Sequence, residues 1–239
     1  LTSLMLILLG LVLISRNCFI KAALITTISL AFRQNNIFWI LLLWLIAMNQ
    51  PLAWITSSSV QRLRWSLAID GMIESVKKTA IFLLPISAFS AFIYLNGGIA
   101  MGNKDLHQAN GLYPTQVYFY LFVFWIVLLP LHFQNLPKIK GLITQHWLIV
   151  LGLGIIATIY LATFDVSHPY NFPSDYFIRN WILFKFKDHQ YWRILAAIPM
   201  IWALLSIAVT PLKQHSYYWI YPITLISLLP VHLIEQRYY

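Results

Sequence analysis

Four short polar clusters hold most of the residues in this chain that could do chemistry: FRQNN (32–36), NGGIAMGNKDLHQ (96–108), the stretch from Asp165 to Arg193, and IEQRYY (234–239). Arg33, Arg179 and Arg237 offer guanidinium groups that can hold a phosphate through two parallel hydrogen bonds, and Lys104 offers a point charge. Asp105 and His107 are spaced to grip a hydroxyl group, although His107 can equally be an interfacial histidine without a task. Gly97, Gly98 and Gly102 either permit a turn or let backbone amides approach an anion closely. Arg33 and Gln34 can instead end a helix and snorkel. His168 precedes a proline, which alone marks an extended loop residue. Glu235 and Arg237 can form a surface ion pair of little energetic worth.

The elements that must position these clusters are apolar to an unusual degree. Sixty per cent of the 239 residues are hydrophobic and 10% are charged, with a mean hydropathy of +0.72. A soluble domain carries about a quarter charged residues, and one water-soluble core cannot hide this much apolar surface. The chain therefore reads as an all-α polytopic membrane protein, a single transmembrane domain over residues 1–239. Membrane lipid is its first partner. The net charge of +9 is spread over short loops, with no long basic run interleaved with aromatics, which argues against nucleic acid. Cys18 is the only cysteine, and the seven histidines show no HExxH-like spacing. These counts exclude a disulfide within the chain and point to no metal site and no cofactor. Leu1 opens an apolar run without a charged leader, so the chain reads as a fragment lacking its natural N-terminus.

Apolar runs fall at about 1–14, 18–32, 37–55, 79–95, 113–131, 147–164, 194–212 and 217–234, and a span needs about 20 residues. These predict about eight membrane helices, the second short enough to be tilted, re-entrant or snorkelled through Lys21. Alternation puts 15–17, 56–78, 132–146 and 213–216 on one side, and 33–36, 96–112, 165–193 and 235–239 on the other. The first side carries nine Lys or Arg (Arg16, Lys21, Arg62, Arg64, Lys77, Lys78, Lys138, Lys140, Lys213) against seven, which favours it as cytoplasmic. Residues 60–78 have apolar positions at near-helical spacing among basic ones and predict an amphipathic helix on the membrane surface.

All four polar clusters then meet the lumenal or periplasmic interface. No Asp, Glu, Lys or Arg falls near the middle of a span, where ion-coupled transporters and proton pumps need them. Within 165–192, aromatics alternate with Asp175, Arg179, Lys185, Lys187 and His189, a pattern that suits one or two interfacial helices. Together the clusters suit a lipid-linked phosphosugar, with its tail among the helices, its phosphate on Arg or Lys, and its sugar outside.

FRQNNIFW (32–39), NGGIAMGNKDLHQ (96–108) with YPTQVYFY (113–120), SHPY (167–170) and LIEQRYY (233–239) resemble, in order, the motifs of the α-1,2-glucosyltransferases that add the last glucose to the dolichol-linked oligosaccharide. The resemblance implies a GT-C fold with interfacial loop helices, a polyprenyl- or dolichyl-phosphate-sugar donor, a lipid-linked glycan acceptor, and transfer on the lumenal or periplasmic side. That side is the endoplasmic reticulum lumen in a eukaryote, or the outer face of the cytoplasmic membrane in a bacterium. Carried over by motif, Arg33, Gln34, Asn35, Gly97, Gly98, Gly102, Lys104, His107, His168, Glu235, Arg237 and Tyr238 are expected to bind substrate, and Asp105 joins them on its own chemistry. After its His-Pro motif the family has an Asp-Asn-Arg-His-Tyr run, whereas this chain reads NFPSDYFIRNW (171–181), leaving Asp175 and Arg179 as partial counterparts. The family's acidic first lumenal loop, which would supply the catalytic base, is expected before Leu1. Two readings compete: a transporter or lipid flippase without sugar transfer, and a non-catalytic assembly factor.

Overall fold

A computed structural model describes residues 2–55, 64–98, 111–166 and 181–230, which form helices and no strand. The chain divides into two compact units. The first comprises residues 1–104 with 212–227, and the second residues 105–211 with 228–239.

In the first unit, α1 (Thr2–Ser15) and α2 (Phe19–Leu30) form a tight hairpin. Asn17 turns it in a left-handed conformation (φ 59°) that asparagine tolerates better than most residues. The Asn17 and Cys18 amides close the end of α1 by bonding to Ile14 O and Leu13 O, each at 2.9 Å. Small residues line the helix contact: Gly10 on α1, and Ala22, Ala23, Thr26 and Ser29 on α2. Apolar burial adds little to helix association in lipid, so close approach must hold such a pair. A side chain at Gly10 would meet Thr26 Cγ2 and Leu43 Cδ1. The Thr26 methyl cannot swing aside freely, because its hydroxyl donates to Ala22 O at 2.8 Å.

Against this hairpin lies α3 (Asn36–Ile55), burying Ile40, Leu43, Ile46 and Ala47. Next, α4 (Arg64–Thr79) docks on α3, with the Ser75 hydroxyl donating to Met48 O at 2.6 Å and the Trp44 indole to Thr79 Oγ1 at 3.1 Å. The expected surface helix does not stop at residue 78. A 3-10 turn (Ala80–Phe82) carries it into α5 (Leu83–Asn96), so that Asp70–Asn96 is one helix of 27 residues. No breaker stands between Lys78 and Leu83, and Thr79 bonds back along the helix to Ser75 O at 2.8 Å. The turn tightens just before Pro85, whose ring cannot bond the Ile81 carbonyl. A second 3-10 turn (His215–Trp219) packs on α3.

The second unit is built on α10 (Gln190–Val209), which packs against α6 (Pro114–Val127), α7 (Leu129–Gln145), α8 (Trp147–Thr163) and α9 (Trp181–Asp188). Buried Ala196, Ala203 and Ser206 let these neighbours approach. The apolar run at 113–131 does not form one straight span. The axes of α6 and α7 meet at 98°, because Pro130 has no N–H for the Ile126 carbonyl and its ring clashes with a continuing helix. At this elbow, buried His132 donates from Nε2 to Phe124 O at 3.3 Å. A carbonyl can only accept, so Nε2 carries the proton.

Residues 132–146, expected to be a loop, are thus mostly helix. The reason is visible in what α7 buries: His132, Asn135 and Ile139, a helical spacing written partly in polar residues. Asn135 Nδ2 donates to Ser206 Oγ (2.7 Å) and Thr210 Oγ1 (2.8 Å) on and beside α10. Finally, α11 (Ile220–Leu228) closes the described chain.

Among the described residues, Asp70–Asn96 and Gln190–Val209 are long and apolar enough to cross a membrane. The bent pair 114–145 would make a third span, and Thr2–Ser15, Phe19–Leu30, Asn36–Met48 and Trp147–Thr163 are shorter apolar helices.

Candidate functional site

Of the residues singled out from the sequence, Arg33, Gln34, Asn35, Gly97 and Gly98 lie within the described structure. Gly102, Lys104, Asp105, His107, His168, Asp175, Arg179, Glu235, Arg237 and Tyr238 lie outside it.

Arg33, Gln34 and Asn35 form the turn that joins α2 to α3. The Arg33 amide bonds to Ser29 O, and the Arg33, Gln34 and Asn35 carbonyls accept from the amides of residues 36, 37 and 38 at 3.1–3.2 Å. Arg33 is exposed; Gln34 and Asn35 are half-buried. The residue of this motif that holds the fold is its neighbour Asn36, which is 5% exposed. Its Nδ2 donates to Ser3 Oγ on α1 and to Ser29 O on α2, each at 2.6 Å. One amide thereby ties three helices together and fixes the backbone on which Arg33 sits. The sequence contained that signal, a second asparagine at the start of an apolar run, but its chemistry is structural.

Gly97 and Gly98 end α5. Both take positive φ (68° and 157°), which L side chains rarely adopt, and the Gly98 amide returns to Ile93 O at 3.1 Å. Asn96 Nδ2 then donates to Gly98 O at 2.8 Å. These angles make the turn that the glycines were expected to permit.

The second unit places the flanks of the remaining clusters together. The Tyr118 hydroxyl near the start of α6 meets Thr163 Oγ1 at the end of α8, 2.7 Å apart. One turn earlier, buried Thr115 accepts the Asp165 amide on Oγ1 at 2.8 Å. Tyr113, which follows the 96–112 cluster, donates its amide to Leu229 O at 2.7 Å. Leu229 leads to IEQRYY. The Tyr160 hydroxyl donates to Arg193 O at 3.0 Å, closing the far end of the 165–193 stretch. Three of the four polar clusters are therefore flanked by backbone gathered at one end of the α6–α8 pair. Thr115 was not expected among the positioning residues, because its hydroxyl matters only once the end of α8 lies beside it.

In the described part of 165–193, residues 181–188 form the helix α9. Phe186 of α9 is buried with its ring edge-on to Phe122 of α6, centroids 5.4 Å apart. Between α6, α9 and α10 lies an open groove of about 630 Å³, lined by Phe122, Ile126, Ile182, Trp192, Leu195 and Pro199 among others. Among the described lining residues Lys185 alone is charged, and it is exposed. Such a groove is of ligand size and can hold an apolar chain with an anionic group at its mouth. No group of three His, Cys, Asp or Glu stands close enough to hold a metal ion among the described residues.

The described helices, their length and their apolar surfaces define an integral membrane protein built of helices. The chain belongs to the DIE2/ALG10 family, whose model matches residues 1–239. A relative from Candida albicans is 27% identical over 226 residues, covering 91% of this chain and 49% of the relative. A human relative is 24% identical over 241 residues, covering 87% of this chain and 50% of the relative. One from Yarrowia lipolytica is 34% identical over 114 residues, covering 43% of this chain and 21% of the relative. All three are named Dol-P-Glc:Glc(2)Man(9)GlcNAc(2)-PP-Dol alpha-1,2-glucosyltransferase. The chain spans about half the length of the first two. No solved structure matches it.

Proposed function

We propose that the full-length protein transfers glucose from dolichyl-phosphate-glucose to a dolichol-linked oligosaccharide at the lumenal face of the endoplasmic reticulum membrane. The carrying observation is membership of the DIE2/ALG10 family along the whole chain, together with relatives named for that reaction. The gathering of three cluster flanks at one end of the α6–α8 pair supports the reading, since one reaction centre needs its binding groups on one side. About eight membrane crossings and a GT-C architecture belong to this proposal.

In the proposed reaction a base removes the proton from the acceptor hydroxyl as its oxygen bonds to the glucose anomeric carbon. The bond from that carbon to the phosphate oxygen breaks, inverting the centre, and dolichyl phosphate leaves with the bonding pair. Arg237, Arg33 and Lys104 would stabilise its charge. Asp105, His107, His168, Asp175, Arg179, Glu235 and Tyr238 would position sugar and acceptor. The groove beside α9 would take the first isoprene units of the donor, with Lys185 at the phosphate.

The test is transfer of labelled glucose from dolichyl-phosphate-glucose to a glucose-terminated lipid-linked oligosaccharide by purified full-length protein. A product glucose-extended and sensitive to an α-1,2-specific glucosidase supports the proposal. Lipid movement between leaflets without a new glycosidic bond refutes it and favours a flippase.

A further inference from the structure

The end of the α6–α8 pair opposite the gathered cluster flanks carries a different surface. Residues 113–118 and 160–165 are pinned together at one end, so α7 lies at the other. Its 98° turn from α6 means that, with α6 inserted along the bilayer normal, α7 runs in the membrane plane for about 25 Å. Its anchored line is His132, Asn135 and Ile139, all buried, with Asn135 bonded to Ser206 and Thr210.

The two edges beside that line differ in chemistry. Phe133 (54% exposed) and Leu136 (42% exposed) stand on one edge with Pro137. Gln134, Lys138 and Gln145 stand exposed on the other. Lys140 is exposed near the apolar edge, with a stem long enough to reach the headgroups. Immediately after, Trp147 (67% exposed) opens α8, and exposed indoles favour the membrane interface. No Asp or Glu occurs between Asp105 and Asp165, so nothing within α6, α7 or α8 offsets the two lysines.

We propose that α7 is an in-plane helix that binds anionic phospholipid headgroups in the leaflet opposite the proposed transfer site. Phe133 and Leu136 enter the acyl boundary, Lys138 and Lys140 meet lipid phosphates, and Asn135 locks the helix to α10. This surface does not depend on the sugar-transfer reading, and the readouts below do not involve transfer.

Two measurements on the full-length protein test it. Spin labels replacing Leu136 and Gln134 in vesicles should split, the first accessible to oxygen in the bilayer and the second to a water-soluble nickel complex. Both labels in water would overturn the proposal. Titration of the solubilised protein with phosphatidylinositol against phosphatidylcholine, read by native mass spectrometry, should favour the anionic lipid. Each of Lys138→Gln and Lys140→Gln should weaken that preference by about 5-fold, the effect of one basic residue near an anionic surface. An unchanged preference in the double variant, or equal binding of both lipids by the unaltered protein, would contradict it. Inorganic phosphate at matched concentration should not displace the anionic lipid; full displacement would mean a soluble-anion site and would also overturn it.

Discussion

The two ends of the α6–α8 pair are built from similar apolar helices and do opposite things with polar groups. At one end, Tyr113, Thr115, Tyr118 and Tyr160 spend their backbone and hydroxyl groups tying down the flanks of loops that carry histidines, acids and guanidinium groups. At the other, α7 turns His132 and Asn135 inward and presents lysines with no acid in the segment. Polar cross-links that hold loop flanks suit a site where substrate must be positioned. Polar cross-links that hold a whole helix free its outer edges for lipid.

The largest expected effect comes from the first end. In the full-length protein, Arg237→Ala should lower glucose transfer by roughly 10- to 100-fold, the loss of a charge-assisted hydrogen bond to phosphate. Arg237→Lys should fall between that and wild type, because an ammonium cannot make two parallel bonds. Donor turnover on variants matched for melting temperature separates this from an anchoring role, in which turnover per folded molecule stays unchanged.

Next in size is Thr115→Val. It keeps the shape but leaves the Asp165 amide without its acceptor, at about 1–3 kcal/mol. We expect reduced transfer alongside a lower melting temperature, with Thr115→Ser restoring both. Recovery of stability without recovery of transfer would separate the 165–193 flank from the site. Smallest is Asn135→Leu at the other end. Interhelical hydrogen bonds in lipid are worth about 0.6 kcal/mol and at most about 1.7. This variant should melt slightly earlier and transfer glucose at an unchanged rate per folded molecule. A change in rate would mean that the two ends are coupled.

The sequence made the apolar helices legible, because a lipid solvent demands them and leaves a strong compositional mark. It also made the polar clusters legible as groups at helix ends. What it hid were the places where a polar residue serves packing. Asn36 sits inside a motif that looks chemical and ties three helices together. His132 and Asn135 face inward from a segment whose polarity suggested a loop. The break at Pro130 fell within an apolar run whose average hydropathy conceals it, and α4 continued past Lys78 because a basic pair does not stop a helix. The turn at Gly97 and Gly98 was among the readings the sequence offered, and their backbone angles show it.

The central claim is that the polar clusters share one membrane face and α7 lies at the other. Single-cysteine labelling tests it most directly, using Asn103→Cys, Asp175→Cys and Lys140→Cys in full-length protein with its other cysteines, Cys18 included, replaced by serine. An impermeant maleimide applied to sealed microsomes should label position 140 from the cytoplasmic side, and should label 103 and 175 only after the membrane is opened. Labelling of 140 and 175 from the same side of sealed vesicles would contradict the account.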